Sequence, residues 1–164
     1  MPTSSDPPDW AQVYRDSLYA FRGDDRRWRR FALDGAVGNP DQDAAAARNA
    51  LGMRRSLVLI TAWNPDSEEM QEEWNLDANR RLAAALDAVA VAHQEAYGAS
   101  LPGVVPAWRE DGFALRGLDR ADALGWGREW RQRALVYLAE DRCGLLFCAG
   151  DELVPCAVRV LGDG

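Results

Sequence analysis

The sequence predicts an α+β domain with a split βαβ (ferredoxin-like) core, a mixed or antiparallel sheet, helices on one face and extra flanking strands. Three observations predict it. From residue 56 to residue 139 the order reads strand, helix, strand, strand, helix, strand, the split βαβ succession. The run "SLVLITAW" is continuously apolar and β-branched, as in a strand covered on both faces. The segment after it carries an apolar stripe at helical spacing, so both periods occur within one chain of 164 residues, a length that fits one domain. A domain of that size buries roughly 68–70% of its unfolded-chain surface and needs no staples.

The elements follow in order. Residues 1–8 are polar and proline-rich and are expected to be disordered, leaving 9–162 as the single domain. "DWAQVYRDSLYAF" places Trp10, Val13, Tyr14 and Leu18 near helical spacing, a short helix leading into a strand at 19–22. "RRFALDG" reads as a second, edge strand, and "GNPDQDAAAARNALG" as a turn, an acidic helix start, an alanine-rich helix and a glycine stop. After "SLVLITAW", Pro65 pushes Asn64 toward extended backbone. Asp66 with Glu69 then reads as a capping box opening a helix over 68–91, with Trp74, Ala78, Leu82, Ala85, Leu86 and Val89 as its stripe. A weaker strand at 91–97 precedes a Gly/Pro loop. "EDGFALRG" reads as a strand, and Asp119 with Asp122 opens a second helix reaching Arg131. "ALVYLA" and "LLFCAG" are strands, and "LVPCAVRVL" adds a last one, which Pro155 places at an edge.

Composition excludes more than it names. All 19 basic residues are arginine, which removes Schiff-base, pyridoxal, P-loop and kinase-lysine chemistry. A single histidine, His93, cannot build a multi-histidine metal site, and Cys143, Cys148 and Cys156 lack zinc spacing; no metal and no cofactor is implied. No apolar run approaches the ~20 residues of a membrane span, and "MPTSSDPPDW" is not a secretion signal, so the expected compartment is the cytoplasm. A formal charge of −7 argues against broad phosphate neutralisation and hence against nucleic acid. The local exception is "RGDDRRWRR", where Arg22 to Arg30 surround Trp28; RNA contact there competes with a solvated face balanced by Asp24 and Asp25.

The end of a central strand beside a helix N-terminus is a favoured ligand position. Asn64 stands there, flanked by Thr61 and Trp63, and Asn75 and Asn79 share a helical stripe with Glu72. The asparagines bind a ligand or else clamp loops. "PAWREDGF" adds Trp108, Glu110 and Asp111, an acid pair beside an aromatic or an ordinary strand entry; Glu110 is the candidate acid or base should a reaction occur. Gln132 is the last polar residue before a buried strand and orients a ligand or caps carbonyls. His93 reads as structural.

The blocks "LITAWNP", "WNLDANRRL", "WREDGF" and "ADALGWGREWRQRALVY" resemble an uncharacterised bacterial family, domain of unknown function 3293, over about residues 12 to 148. The resemblance implies motif positions at Thr61, Ala62, Asn64, Pro65, Asn75, Asn79, Trp108, Glu110, Phe113, Gly127, Trp130, Gln132 and Ala134. The chain departs in one block, reading "WRQRA" where the family shows an FGQNA-like stretch, which puts Arg131 and Arg133 in place of glycine and asparagine. The family implies no activity. Two readings follow. In the first, Thr61, Trp63, Asn64, Asn75, Asn79, Trp108, Glu110 and Gln132 bind a small polar or nucleotide-like ligand at the strand's end. In the second, they are structural clamps in a non-enzymatic module that binds protein or itself as a homodimer, burying Trp28, Trp126 or Trp130.

Overall fold

The computed structural model describes residues 7–162; the expected disorder at the N-terminus falls, for residues 1–6, outside them. Its chain order is α1 (Trp10–Arg15), β1 (Ser17–Arg22), β2 (Trp28–Gly35), α2 (Pro40–Leu51), β3 (Leu57–Thr61), a 3₁₀ turn (Pro65–Ser67), α3 (Glu72–Ala88), β4 (His93–Ser100), β5 (Arg109–Arg116), α4 (Arg120–Glu129), β6 (Ala134–Leu138), β7 (Cys143–Phe147) and β8 (Glu152–Leu161). The strands close into a barrel in the order β1-β2-β8-β7-β6-β3-β5-β4, with every neighbouring pair antiparallel.

The closed barrel overturns the expected open split βαβ sheet. Strand β4, an outer strand in that arrangement, pairs with β1 from Ala96↔Phe21 to Ser100↔Ser17. Strand β2, expected at an edge, lies between β1 and β8, and β8 lies between β7 and β2 despite Pro155. Closure pairs the ladder groups that an open sheet leaves to solvent. The physical reason for the error lies in β3. Its unbroken apolar run is indeed covered on both faces, but one cover is the barrel's own interior. Local periodicity gives the two faces of a strand and carries no information about which distant strands meet.

Alternation sorts the core into two layers. Phe21, Phe31, Leu33, Leu57, Leu59, Val136, Leu138 and Leu145 fill the interior together with Ala47 and Leu51 of α2. That helix starts on Asn39, whose side chain accepts from Asp41 N, and stops at Gly52 with φ 65°, where glycine tolerates the left-handed turn. On the outer side, Val58, Ile60, Leu115, Leu135, Tyr137 and Leu146 pack against Ala78, Leu82 and Leu86 of α3 and Ala123 and Leu124 of α4. Truncating a buried leucine such as Leu82 to alanine costs about 2–5 kcal/mol.

Helix α3 is shorter than expected. It begins at Glu72 with Gln71 as an N-cap that makes no side-chain bond, and Asp66 caps nothing. Its buried face is Asn75, Ala78, Leu82 and Leu86, while Trp74 and Val89 are exposed. Asn75 therefore belongs to the buried stripe rather than beside it. The basic stretch is interleaved with acid. Arg29 pairs with Asp25, Arg22 with Glu95 and Arg116 with Asp24. The Arg29 guanidinium holds the Asp25 carboxyl well below the usual carboxylate range. Trp28 rests on Tyr97, ring centroids 5.1 Å apart. Cys143, Cys148 and Cys156 are buried and free. Among the described residues, no helix is long and apolar enough to cross a membrane.

Candidate functional site

The larger of two hollows lies at the end of the barrel where β3 runs out; a smaller one, about 510 Å³, lies at the opposite end among Phe21, Arg29, Leu57 and Arg116. Where β3, β4, β5 and β6 reach the larger hollow, their inward positions include Ala96, Gly98, Gly112 and Ala134, too small to meet across the interior. Helix α1 lies beside this mouth, with Tyr14 edge-on to Phe147 at 6.2 Å. The result is a cavity of about 750 Å³ whose walls include Thr61, Trp63, Asn64, Asn75, Trp108, Glu110 and Gln132.

The chain builds this wall from the end of β3. The Thr61 hydroxyl donates to the Asp111 carbonyl at 2.6 Å and accepts from Trp63 N at 3.0 Å, which turns the backbone out of the strand. Asn64 then adopts φ 47°, ψ 59°, left-handed rather than the extended conformation expected before proline. Its amide explains the difference. The Asn64 Oδ1 accepts from Met70 N at 2.9 Å and from Asn75 Nδ2 at 3.0 Å. Its backbone N–H donates to Asn75 Oδ1 at 3.0 Å, and its Nδ2 donates to Glu110 Oε1 at 2.8 Å. Asparagine is among the side chains that tolerate this region.

The strain is concentrated here. Asn64, Asp66, Ser67 and Arg131 all have positive φ without being glycine. Each costs of the order of 1–2 kcal/mol, so other contacts must hold them. Asp66 N donates to the Arg131 carbonyl at 2.7 Å, and the Arg131 guanidinium grips the Asp66 carboxylate. Gln132 Nε2 donates to the carbonyls of Trp63 at 3.3 Å and Trp130 at 3.1 Å, locking the start of β6 to the end of β3. The loop between β3 and α3 is thus fastened to the turn after α4.

Glu110 is the electrostatic centre of the cavity. Burial raises its pKa above the ordinary 4.5, against the lowering effect of the Asn64 hydrogen bond. No arginine pairs with it among the described residues. The nearby arginines are engaged elsewhere: Arg109 bonds Asp111 at 2.9 Å and lies 3.8 Å over the Tyr97 ring, and Arg133 bonds Ser67 at 3.0 Å and lies 3.9 Å over the Trp10 ring. Burial and then the Glu110 charge push the Tyr14 hydroxyl up to about 12, and burial raises Tyr19 well above its ordinary 10. Both tyrosines stay neutral at physiological pH and act as hydrogen-bonding groups rather than bases. The Trp63 indole N–H is buried and makes no hydrogen bond among the described residues.

The other expected positions lie apart. Asn79 does not line the cavity; it follows Asn75 by one helical turn, and its Oδ1 is buried without a partner. His93 bonds the Val91 carbonyl at 2.8 Å and packs edge-on against Phe113, away from the mouth. Asp111 contributes its carbonyl to Thr61 and its carboxylate to Arg109 instead of forming an acid pair with Glu110. Trp10, Tyr14, Tyr19, Tyr97 and Arg133 line the cavity without having been proposed for it. Helical spacing had marked Trp10 and Tyr14 as a packing stripe, and nothing local distinguishes a ring facing a core from one facing a hollow. Among the described residues, no group of His, Cys, Asp and Glu is arranged to hold a metal.

Over residues 60–135 the chain matches a family described as Protein of unknown function (DUF3293). The resemblance seen in the motif blocks therefore holds over the span from the end of β3 to the start of β6. That span contains Asn64, Asn75, Trp108, Glu110 and Gln132, whereas Trp10 and Tyr14 lie outside it. No curated protein and no solved structure matches the chain.

Proposed function

We propose that this protein binds a small polar molecule in the mouth of its barrel. The observation that carries the reading is the convergence of Asn64, Asn75, Glu110 and Gln132 on one aromatic-walled cavity, joined by the Asn75–Asn64–Glu110 hydrogen-bond chain. A volume of about 750 Å³ lies within the range of small-molecule sites, and barrel mouths are a common place for them. The strained loop supports the same reading, because left-handed side chains persist only where surrounding contacts over-determine them. Glu110 is the group that would serve as acid or base if the bound molecule reacts. Three buried, unpaired cysteines suit a reducing compartment, and we assign the cytoplasm.

The test is a thermal-shift screen of fractionated cell metabolites against the wild type and Gly98→Leu, which projects a side chain into the hollow beside Trp108 and Tyr19. Fractions that stabilise the wild type and leave a folded Gly98→Leu variant unmoved support the cavity as the site. Equal shifts in both variants reject it. The self-association reading draws on Val104, Val105 and Trp108, which are exposed on the β4–β5 connection, whereas Trp28, Trp126 and Trp130 are partly buried within the chain. Sedimentation at rising concentration tests it: a monomer throughout removes it.

A further inference from the structure

The charges around the barrel mouth go beyond a polar site and specify its ligand. Glu110 is a half-buried carboxylate with one oxygen on an amide and no ion-pair partner among the described residues. Glu69 and Glu72 stand exposed at the rim of the same cavity and make no ion pair among the described residues. Of the two lining arginines, Arg109 is neutralised by Asp111, which leaves Arg133 against three carboxylates. A buried charge is costly unless it is paired or protonated. Trp63 and Trp108 line the same cavity, and aromatic rings attract cations.

We infer that the ligand of this cavity presents a positively charged nitrogen, an amine or amidinium, to Glu110. The inference rests on the barrel mouth being a binding site. It selects among polar ligands: a nucleotide would bring phosphate charge against Glu69 and Glu72 with only Arg133 to answer it, while a cationic nitrogen supplies the counter-charge that Glu110 lacks. The Asn64 amide holds Oε1, so Oε2 is the acceptor left for the ligand's N–H. Asn64 is then a positioning residue, fixing the carboxylate that receives the cation.

The experiment uses benzamidine, its neutral isostere benzamide, and adenosine monophosphate, each titrated into the full chain and followed by protein-observed NMR. A charged hydrogen-bonding pair in a partly desolvated site should favour benzamidine over benzamide by about tenfold, with adenosine monophosphate weakest. In Glu110→Gln, whose side-chain oxygen still accepts from Asn64, the preference for benzamidine over benzamide should vanish. Benzamide or adenosine monophosphate binding as tightly as benzamidine overturns the cationic ligand and leaves the site standing. So does a benzamidine preference that survives in Glu110→Gln. Absence of binding by all three probes at about 10 mM, near the weakest affinity expected of fragments, overturns both.

Discussion

Asn64 donates its side-chain amide to Glu110 at 2.8 Å across 46 residues of sequence, joining the exit of β3 to the entry of β5. The same side chain accepts from Met70 N and Asn75 Nδ2. Replacing it with alanine strands the half-buried Glu110 carboxyl and the buried Asn75 amide together. Asn64→Ala should cost about 3 kcal/mol, measured by urea unfolding. Asn64→Asp also removes the donor and sets a second carboxylate beside Glu110, so its loss of stability should be larger at pH 7 than at pH 4, where protonation relieves the repulsion. A loss independent of pH would mean that the two side chains do not share this contact.

Glu110 itself should show the opposite sign from an ordinary surface carboxylate. Its folded pKa is raised by burial, so the folded state holds its proton more tightly than the unfolded chain does. The stability it contributes is fully present below the unfolded value and is lost as pH rises through the folded value. The other charged or titratable groups around the cavity are Tyr14, Tyr19, Glu69, Glu72, Tyr97, Arg109 and Arg133. Glu110→Gln removes the ionisation and retains an acceptor for Asn64. Its melting temperature relative to wild type should therefore be higher at pH 7 than at pH 4. A difference that is flat with pH would show that Glu110 is solvated.

The polar cluster was legible because it sits on local misfits. A proline ends an apolar strand at Asn64, and an asparagine occupies Asn75 where a helix wants a better former. The barrel was not legible, because closure depends on β1 meeting β4 and β2 meeting β8, pairings that span 75 to 131 residues and leave no trace in either strand's own pattern. The backbone at Asn64 was misjudged for a related reason. The steric rule for residues before proline is local, and it was overridden by hydrogen bonds to Asn75 and Glu110 that only folding supplies. The aromatic lining was missed because Trp10 and Tyr14 are spaced as any packing stripe is.

Arg131 tests how much of the loop's strain is real. It holds φ 55°, where a Cβ is crowded and glycine is not. Both Arg131→Ala and Arg131→Gly remove the exposed pair with Asp66, which is worth about 0–1 kcal/mol. Only glycine relieves the backbone. Arg131→Gly should therefore be more stable than Arg131→Ala by about 1 kcal/mol, the reverse of the usual order, read from urea midpoints at constant m. Alanine proving equal or better would place Arg131 outside the left-handed region.

Two glycines on adjacent strands separate the scaffold of the cavity from its empty space. A Cβ at Gly112 would collide with the Ile60 carbonyl oxygen, part of the β3 backbone that pairs with β5. Neither strand can shift without disturbing Thr61 and Glu110, which lie one and two residues from that contact. Gly112→Ala should lose about 2–3 kcal/mol and weaken binding of any mouth ligand with it. A Cβ at Gly98 meets nothing closer than Trp108 and Tyr19 at 3.9 Å, ordinary contact distance. Gly98→Ala should be neutral or stabilising by up to about 1 kcal/mol, since glycine is a poor strand residue. Side-by-side denaturation of the two variants distinguishes them. Equal losses would mean that the wall at Gly98 is already packed and that the hollow on which the proposed site depends does not exist.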